Sequence, residues 1–123
     1  MSVSTTNQLS RSSAYLVVIR EVIVANDIAQ TIAHHEPGAH VIIAATHAQA
    51  VTALGPVATL AIAFISERPA QFAQSGLCTA IAARGGRVVL LGEDAEATGP
   101  NADWSVLYQP FTTDAVIAKL TGR

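Results

Sequence analysis

Five short apolar runs, rich in β-branched residues and separated by stretches of helical period, constrain this chain more than any other feature. They are AYLVVI from Ala14, HVIIAA from His40, TLAIAFI from Thr59, RVVLL from Arg87 and WSVLY from Trp104. Each is too short for a helix and too continuously apolar for a half-exposed strand, so each reads as a strand buried on both faces. Between them the period changes. Val24, Ile28 and Ile32 fall four apart within 21–34, Thr46 is placed to cap a helix over His47–Leu54, and the Ala-rich stretch from about Ala70 to Arg84 reads as helical. Gly76 weakens that last helix by about 1 kcal/mol relative to alanine. Beyond Pro110, TTDAVIAKL combines a Thr cap, an early Asp suited to the helix dipole, and Val116, Ile117 and Leu120 on one face. The acidic, Gly- and Pro-containing stretch from Gly92 to Asp103 has little apolar periodicity, so the fourth helix is expected to be short or absent. Strands alternating with helices imply parallel neighbours joined by right-handed crossovers. The fold class is therefore α/β, a doubly wound five-stranded parallel sheet whose functional edge lies at the carboxyl ends of its strands.

With 123 residues, half of them hydrophobic, the chain holds one domain, expected over residues 14–123. Residues 1–13 are polar and Ser/Thr-rich and read as a flexible tail without the apolar region of a secretory signal. The longest apolar stretch is broken at Arg20 and Glu21, short of the roughly 20 residues that span a bilayer, so no membrane partner is expected. A net charge of −2 with no clustered basic face argues against nucleic acid. The single cysteine, Cys78, has no internal partner for a disulfide and lies among small residues; it reads as a buried structural thiol in a reducing, cytoplasmic setting.

The first strand is followed by Ile19, Arg20 and Glu21 rather than G-x-G-x-x-G, and no strand is followed by a phosphate-cradling Gly-rich loop with Lys-Ser/Thr. No nucleotide or other cofactor is expected. His34, His35, His40 and His47 are close in sequence, but two end a helix and one begins a strand at its opposite end. No cysteine or suitable carboxylate completes a tetrahedral set, so no metal is expected, and histidines at a helix C-terminus are accounted for by the dipole. Ser66 has no His-Asp partner evident in sequence that would make it a nucleophile.

Four segments taken in order, YLVV (15–18), IAFIS (62–66) before a polar loop, ARGGRVVLL (83–91) and VLYQPF (106–111) before a short capped helix, resemble the receiver domain of bacterial two-component response regulators. The resemblance runs from Ala14 to Leu120. It is closer to a subgroup with a Phe-Ala-Thr-Gly-Tyr run after strand four and a reduced fourth helix, although this chain has LLGED there. It implies a flavodoxin-like, CheY-like sheet with strand order 2-1-3-4-5. It also implies a cis peptide at Gln109-Pro110, against a base rate of about 5% for such bonds. Carried over by position, the family's acidic pair falls on Ile19 and Arg20, with Glu21 the nearest carboxylate. The phosphoacceptor falls on Ser66, or on Ile65 if the register slips by one. The hydroxyl residue that closes over phosphate falls on Gly92, the lysine on Gln109, and the switching aromatic near Val106.

Phosphoryl transfer to a receiver needs a carboxylate nucleophile, a divalent cation held by hard oxygens, and a cation on the product phosphate. Arg20, Glu21, Ser66, Gly92 and Gln109 together make a degenerate pocket that lacks all three. Arg20 is expected to pair with Glu21, Glu67 or Glu93 and hold the pocket in one state, or else to extend its head into solvent. The function this implies is a non-catalytic, phosphorylation-independent signalling domain that binds another signalling protein or itself, with Tyr108 and Phe111 on the partner face. The alternative is a small-ligand-binding or enzymatic domain using the crevice at the carboxyl ends of strands one and three.

Overall fold

The apolar runs become strands. The computed structural model describes residues 13–121, so the expected tail lies, apart from Ser13, outside the described residues. Strands β1 (Ala14–Val18), β2 (His40–Ala44), β3 (Ile62–Ser66), β4 (Arg87–Leu91) and β5 (Ser105–Val106) form one sheet in the order β2-β1-β3-β4-β5, and every neighbouring pair is parallel. Six helices accompany them: α1 (Val22–His35), α2 (His47–Leu54), α3 (Pro69–Ala73), α4 (Gly76–Ala83), α5 (Glu93–Thr98) and α6 (Thr113–Leu120). This is the doubly wound, flavodoxin-like arrangement. Among the described residues, no helix is long and apolar enough to cross a membrane.

Successive strand residues point to opposite faces, and this splits the core in two. Tyr15, Val17, Phe64 and Val89 pack against Ile28 and Ile32 of α1 and Val116 of α6. Leu16, Val18, Ala63, Ile65 and Leu90 pack against α2 to α5 through Leu54, Phe72, Leu77, Ile81 and Ala95. No polar or charged residue among those described is fully buried. Burial of each large side chain contributes about 1.5–3 kcal/mol. Strand β3, buried on both faces from Ile62 to Ile65, is therefore the anchor from which Ser66 projects.

Three elements differ from the sequence expectation. The run from Thr59 does not pair at once: the Leu60 N–H donates to Arg84 O (3.0 Å) and the Ala61 N–H to Ala14 O (2.8 Å) before the strand proper begins at Ile62. The single helix expected from Ala70 to Arg84 is two. Ser75 Oγ donates to Phe72 O (2.7 Å) and accepts from Cys78 N–H (3.1 Å), so one hydroxyl ends α3 and caps α4, and Gly76 becomes a first-turn residue. The expected strand over Trp104–Tyr108 is trimmed to two residues, since Trp104 O accepts instead from Asn101 N–H at 3.0 Å. Cys78 is half-buried rather than buried and packs against the α2 side of the core.

Arg84, at the end of α4, joins segments distant in sequence. Its Nε donates to Leu54 O (3.1 Å) and Val57 O (2.8 Å), and its Nη1 to Ala80 O (2.8 Å). These carbonyls lie at and after the end of α2, where the helix supplies few donors; Leu54 O also accepts from the Val57 N–H at 2.9 Å. The short fourth crossover helix, α5, follows Gly92, whose φ of 121° and ψ of 165° lie where side chains are rarely tolerated.

Candidate functional site

Burial ends abruptly at the carboxyl ends of four strands. Ile19, Ile65, Leu91 and Leu107 are all buried, and the residues immediately after them, Arg20, Ser66, Gly92 and Tyr108, are half-buried or exposed. Strand order reverses direction on either side of β1, so the crevice between β1 and β3 is the place where such sheets collect ligands. Two adjoining hollows meet there. One, of about 470 Å³, is lined by Arg20, Ser66, Arg68, Gly92, Glu93 and Asp94. The other, of about 340 Å³, is lined by Val18, Thr46 and His47. Arg20, Ser66, Glu67 and Gln71 belong to both.

Each wall of the crevice is set by local structure. Thr46 Oγ1 accepts from the Gln49 N–H (3.1 Å), and Gln49 Oε1 accepts from the Ala45 N–H (3.0 Å). This reciprocal capping fixes the first turn of α2 and places His47. Glu67 Oε1 accepts from the Arg68 N–H (2.8 Å), while Oε2 lies 3.3 Å from His47 Nε2. That imidazole nitrogen is buried and has no hydrogen-bond partner among the described residues, and the Glu67 carboxylate is the acidic group beside it. Arg68 Nε reaches Asp94 Oδ2 at 3.1 Å. Both side chains are largely exposed, and such a pair contributes at most about 1 kcal/mol. Glu96 Oε2 accepts from the Gln109 N–H at 2.9 Å.

Of the five expected pocket residues, three come together. Arg20, Ser66 and Gly92 line one hollow, whereas Glu21 and Gln109 do not. Glu21 is the exposed N-cap of α1, and Gln109 is exposed, with its backbone N–H bonded to Glu96 of α5. The register is set by β3, where Ser66 pairs with Leu91 and Ile65 is wholly buried; Ser66, not Ile65, faces the crevice. Arg20 forms no ion pair among the described residues, so the expected pairing with Glu21, Glu67 or Glu93 does not occur. The reason is local: Glu67 accepts from the next backbone amide and lies against His47, and Arg20 is exposed. Gln109-Pro110 is cis. On the expected partner face, Tyr108 is 50% exposed. Phe111 is half-buried and lines a separate groove of about 630 Å³ between α1 and α6.

Sequence reasoning missed His47, Gln71, Asp94 and Glu96. Only His47 carried a local signal, the Thr46 cap beside it. Chemically, the crevice offers a guanidinium, a hydroxyl and an amide, with Glu67, Glu93 and Asp94 around the rim. Among the described residues, no three His, Cys, Asp or Glu side chains group closely enough to hold a metal ion. No protein-family model and no curated protein matches the chain.

Proposed function

We propose that this domain is a receiver-like signalling module that acts through protein-protein contact and does not depend on phosphorylation. The observation that carries this reading is Ser66. It stands at the end of β3 and opens onto the crevice, the place where a receiver presents a carboxylate. A serine hydroxyl cannot form an acyl phosphate, and Arg20 places positive charge where a divalent cation would have to sit. In a phosphorylated receiver the bound phosphate biases loops between two arrangements. Here three contacts of the protein's own join the same loops: His47 to Glu67, Arg68 to Asp94, and Glu96 to the Gln109 amide. They favour one arrangement without an added group. Exposed Tyr108, with Phe111 beside it in sequence, supplies the contact face for another signalling protein, and the cytoplasm is its natural setting.

Titration with Mg²⁺ and fluoroberyllate, followed by amide NMR, tests the reading. Shifts at Ser66, Gly92 and Gln109 are expected to stay linear and small up to millimolar ligand. Saturable shifts there would overturn it. One observation favours a second reading, an anion-binding crevice: among the described residues the Arg20 guanidinium has no carboxylate partner, and it shares its hollow with Ser66 and Gln71. A thermal-shift screen with phosphate, nucleotides and flavins separates the two, because a ligand specific to the folded state raises the melting temperature by mass action.

A further inference from the structure

The two edges of the sheet are unlike. β5 is two residues long and is soon followed by Pro110, so it offers little to pair with. β2 is five residues of HVIIA, with no proline and no lysine or other fixed charge of the kind that blunts natural edges. It is the terminal strand, and among the described residues it pairs only with β1. The His40 N–H donates to Ser13 O (2.9 Å), so His40, Ile42 and Ala44 turn their backbone groups inward, and alternation turns those of Val41 and Ile43 outward. The outward amides just beyond are already used: the Ala39 N–H donates to Glu36 O (2.9 Å) and the Ala45 N–H to Gln49 Oε1 (3.0 Å). Among the described residues the open edge is thus the N–H and C=O of Val41 and of Ile43.

These four groups are self-complementary about a two-fold axis. If two β2 strands meet antiparallel with the axis at Ile42, Val41 of one copy stands opposite Ile43 of the other. Both are residues with outward backbone groups, so each such pair exchanges two hydrogen bonds, and the four outward groups of each copy are all satisfied. Ile42 meets its own counterpart in the intervening non-hydrogen-bonded position. The Ile43 side chain, on the α1 face beside Val17 and 50% exposed, is covered by Val41 of the second copy.

Charge points to the same occupant. From Pro37 to Ser66 the chain carries no Asp, Glu, Lys or Arg. This run includes β2 and α2, where Val51 is 40% exposed. In a two-fold interface, residues near the axis meet copies of themselves, so any fixed charge there is repelled by its twin. A charge-free edge suits a second copy, whereas an oppositely charged partner would find nothing to pair with. Gly38, Ala39 and Ala45 flank the strand with little bulk to hold a second backbone away.

We infer that β2 pairs antiparallel with β2 of a second copy of this chain, making a continuous ten-stranded sheet. The inference is independent of the phosphate reading and uses the edge opposite β5. Sedimentation velocity over a concentration series tests it. The full chain is expected to reach twice its 12.8 kDa monomer mass. Ile43→Lys replaces the apolar cover over Val41 of the second copy and sets two like charges diagonally across the axis, and should raise the dissociation constant roughly tenfold or more, while Ala97→Lys, on the exposed side of α5, leaves it unchanged. A mixture of differently labelled chains should give an intermolecular Hα–Hα contact at Ile42, which tests the register in the unmutated protein even if Ile43→Lys folds poorly. A monomer at all concentrations, a dimer that survives a folded Ile43→Lys, or a dimer without the Ile42 contact would overturn the inference.

Discussion

Replacing Gly92 with threonine would return to the end of β4 the hydroxyl that the resembled family carries there, and the backbone opposes it. At φ 121° and ψ 165°, a residue with a Cβ is strained by about 1–3 kcal/mol. A Cβ built at Gly92 would meet nothing within 4 Å, so no steric clash adds to the penalty. Loss of glycine also narrows the unfolded ensemble, which returns about 0.4–1 kcal/mol to the variant. The net cost is about 1–2 kcal/mol. For a domain of this size each kcal/mol is worth roughly 4 °C, so the melting temperature should fall by about 4–8 °C on that scale. Trp104, the only tryptophan and half-buried, reports unfolding by fluorescence, and urea titration supplies the free energy. Gly92→Ala should lose nearly as much as Gly92→Thr, because the strain is in the backbone. Neutral variants, or a threonine far worse than alanine, would refute the reasoning by showing that the backbone relaxes or that neighbours dominate.

Two more outcomes follow from the same geometry. Arg84→Met keeps the apolar stem but removes the donors to Leu54, Val57 and Ala80. With hydrogen bonds from a charged group worth about 1.5–3 kcal/mol each and partial rescue by water, a loss of about 2–4 kcal/mol in urea unfolding is expected; a loss below about 1 would contradict the stapling role. The Tyr15 phenol is raised above its usual value by burial and by the nearby Glu36 carboxylate, with Ser13 and Arg87 opposing. The unfolded chain therefore ionises first, so this contribution is complete below about pH 10 and is lost as pH rises toward the folded value. Chemical denaturation between pH 9 and 11 should show a fall in stability that Tyr15→Phe reduces, and identical slopes in both proteins would exclude Tyr15 as its source.

The sheet was legible because its signal is local. RVVLL and HVIIAA are short and β-branched; the first forms a strand where it was read, and the second loses only Ala45. The same criterion overreached at Thr59–Ala61, where apolar residues are buried or paired before the strand begins: hydrophobicity reports burial, and Leu60 is buried without belonging to β3. The break in the helix after Ala73 was visible in outline as Ser75-Gly76, but glycine was weighed as a weak helix residue rather than serine as a cap. Arg20 and Ser66 could be placed in one crevice because strand ends converge in any doubly wound sheet. The partner of Glu67 could not be read, since His47 approaches it from a different crossover. The bond from the Gln109 backbone N–H to Glu96 of α5 could not be read for the same reason.

The sharp limit of burial at the strand ends bears on how freely this domain can vary. Ile65 lies within the packed interior, and the very next residue, Ser66, is only half-buried and opens onto the crevice. Arg20 stands in the same relation to Ile19. Substitutions at 20 and 66 therefore disturb the packed core less than those one residue earlier, and the chemistry of the crevice can drift while the scaffold endures. Gly92 is the exception, because there the main chain itself sets the requirement.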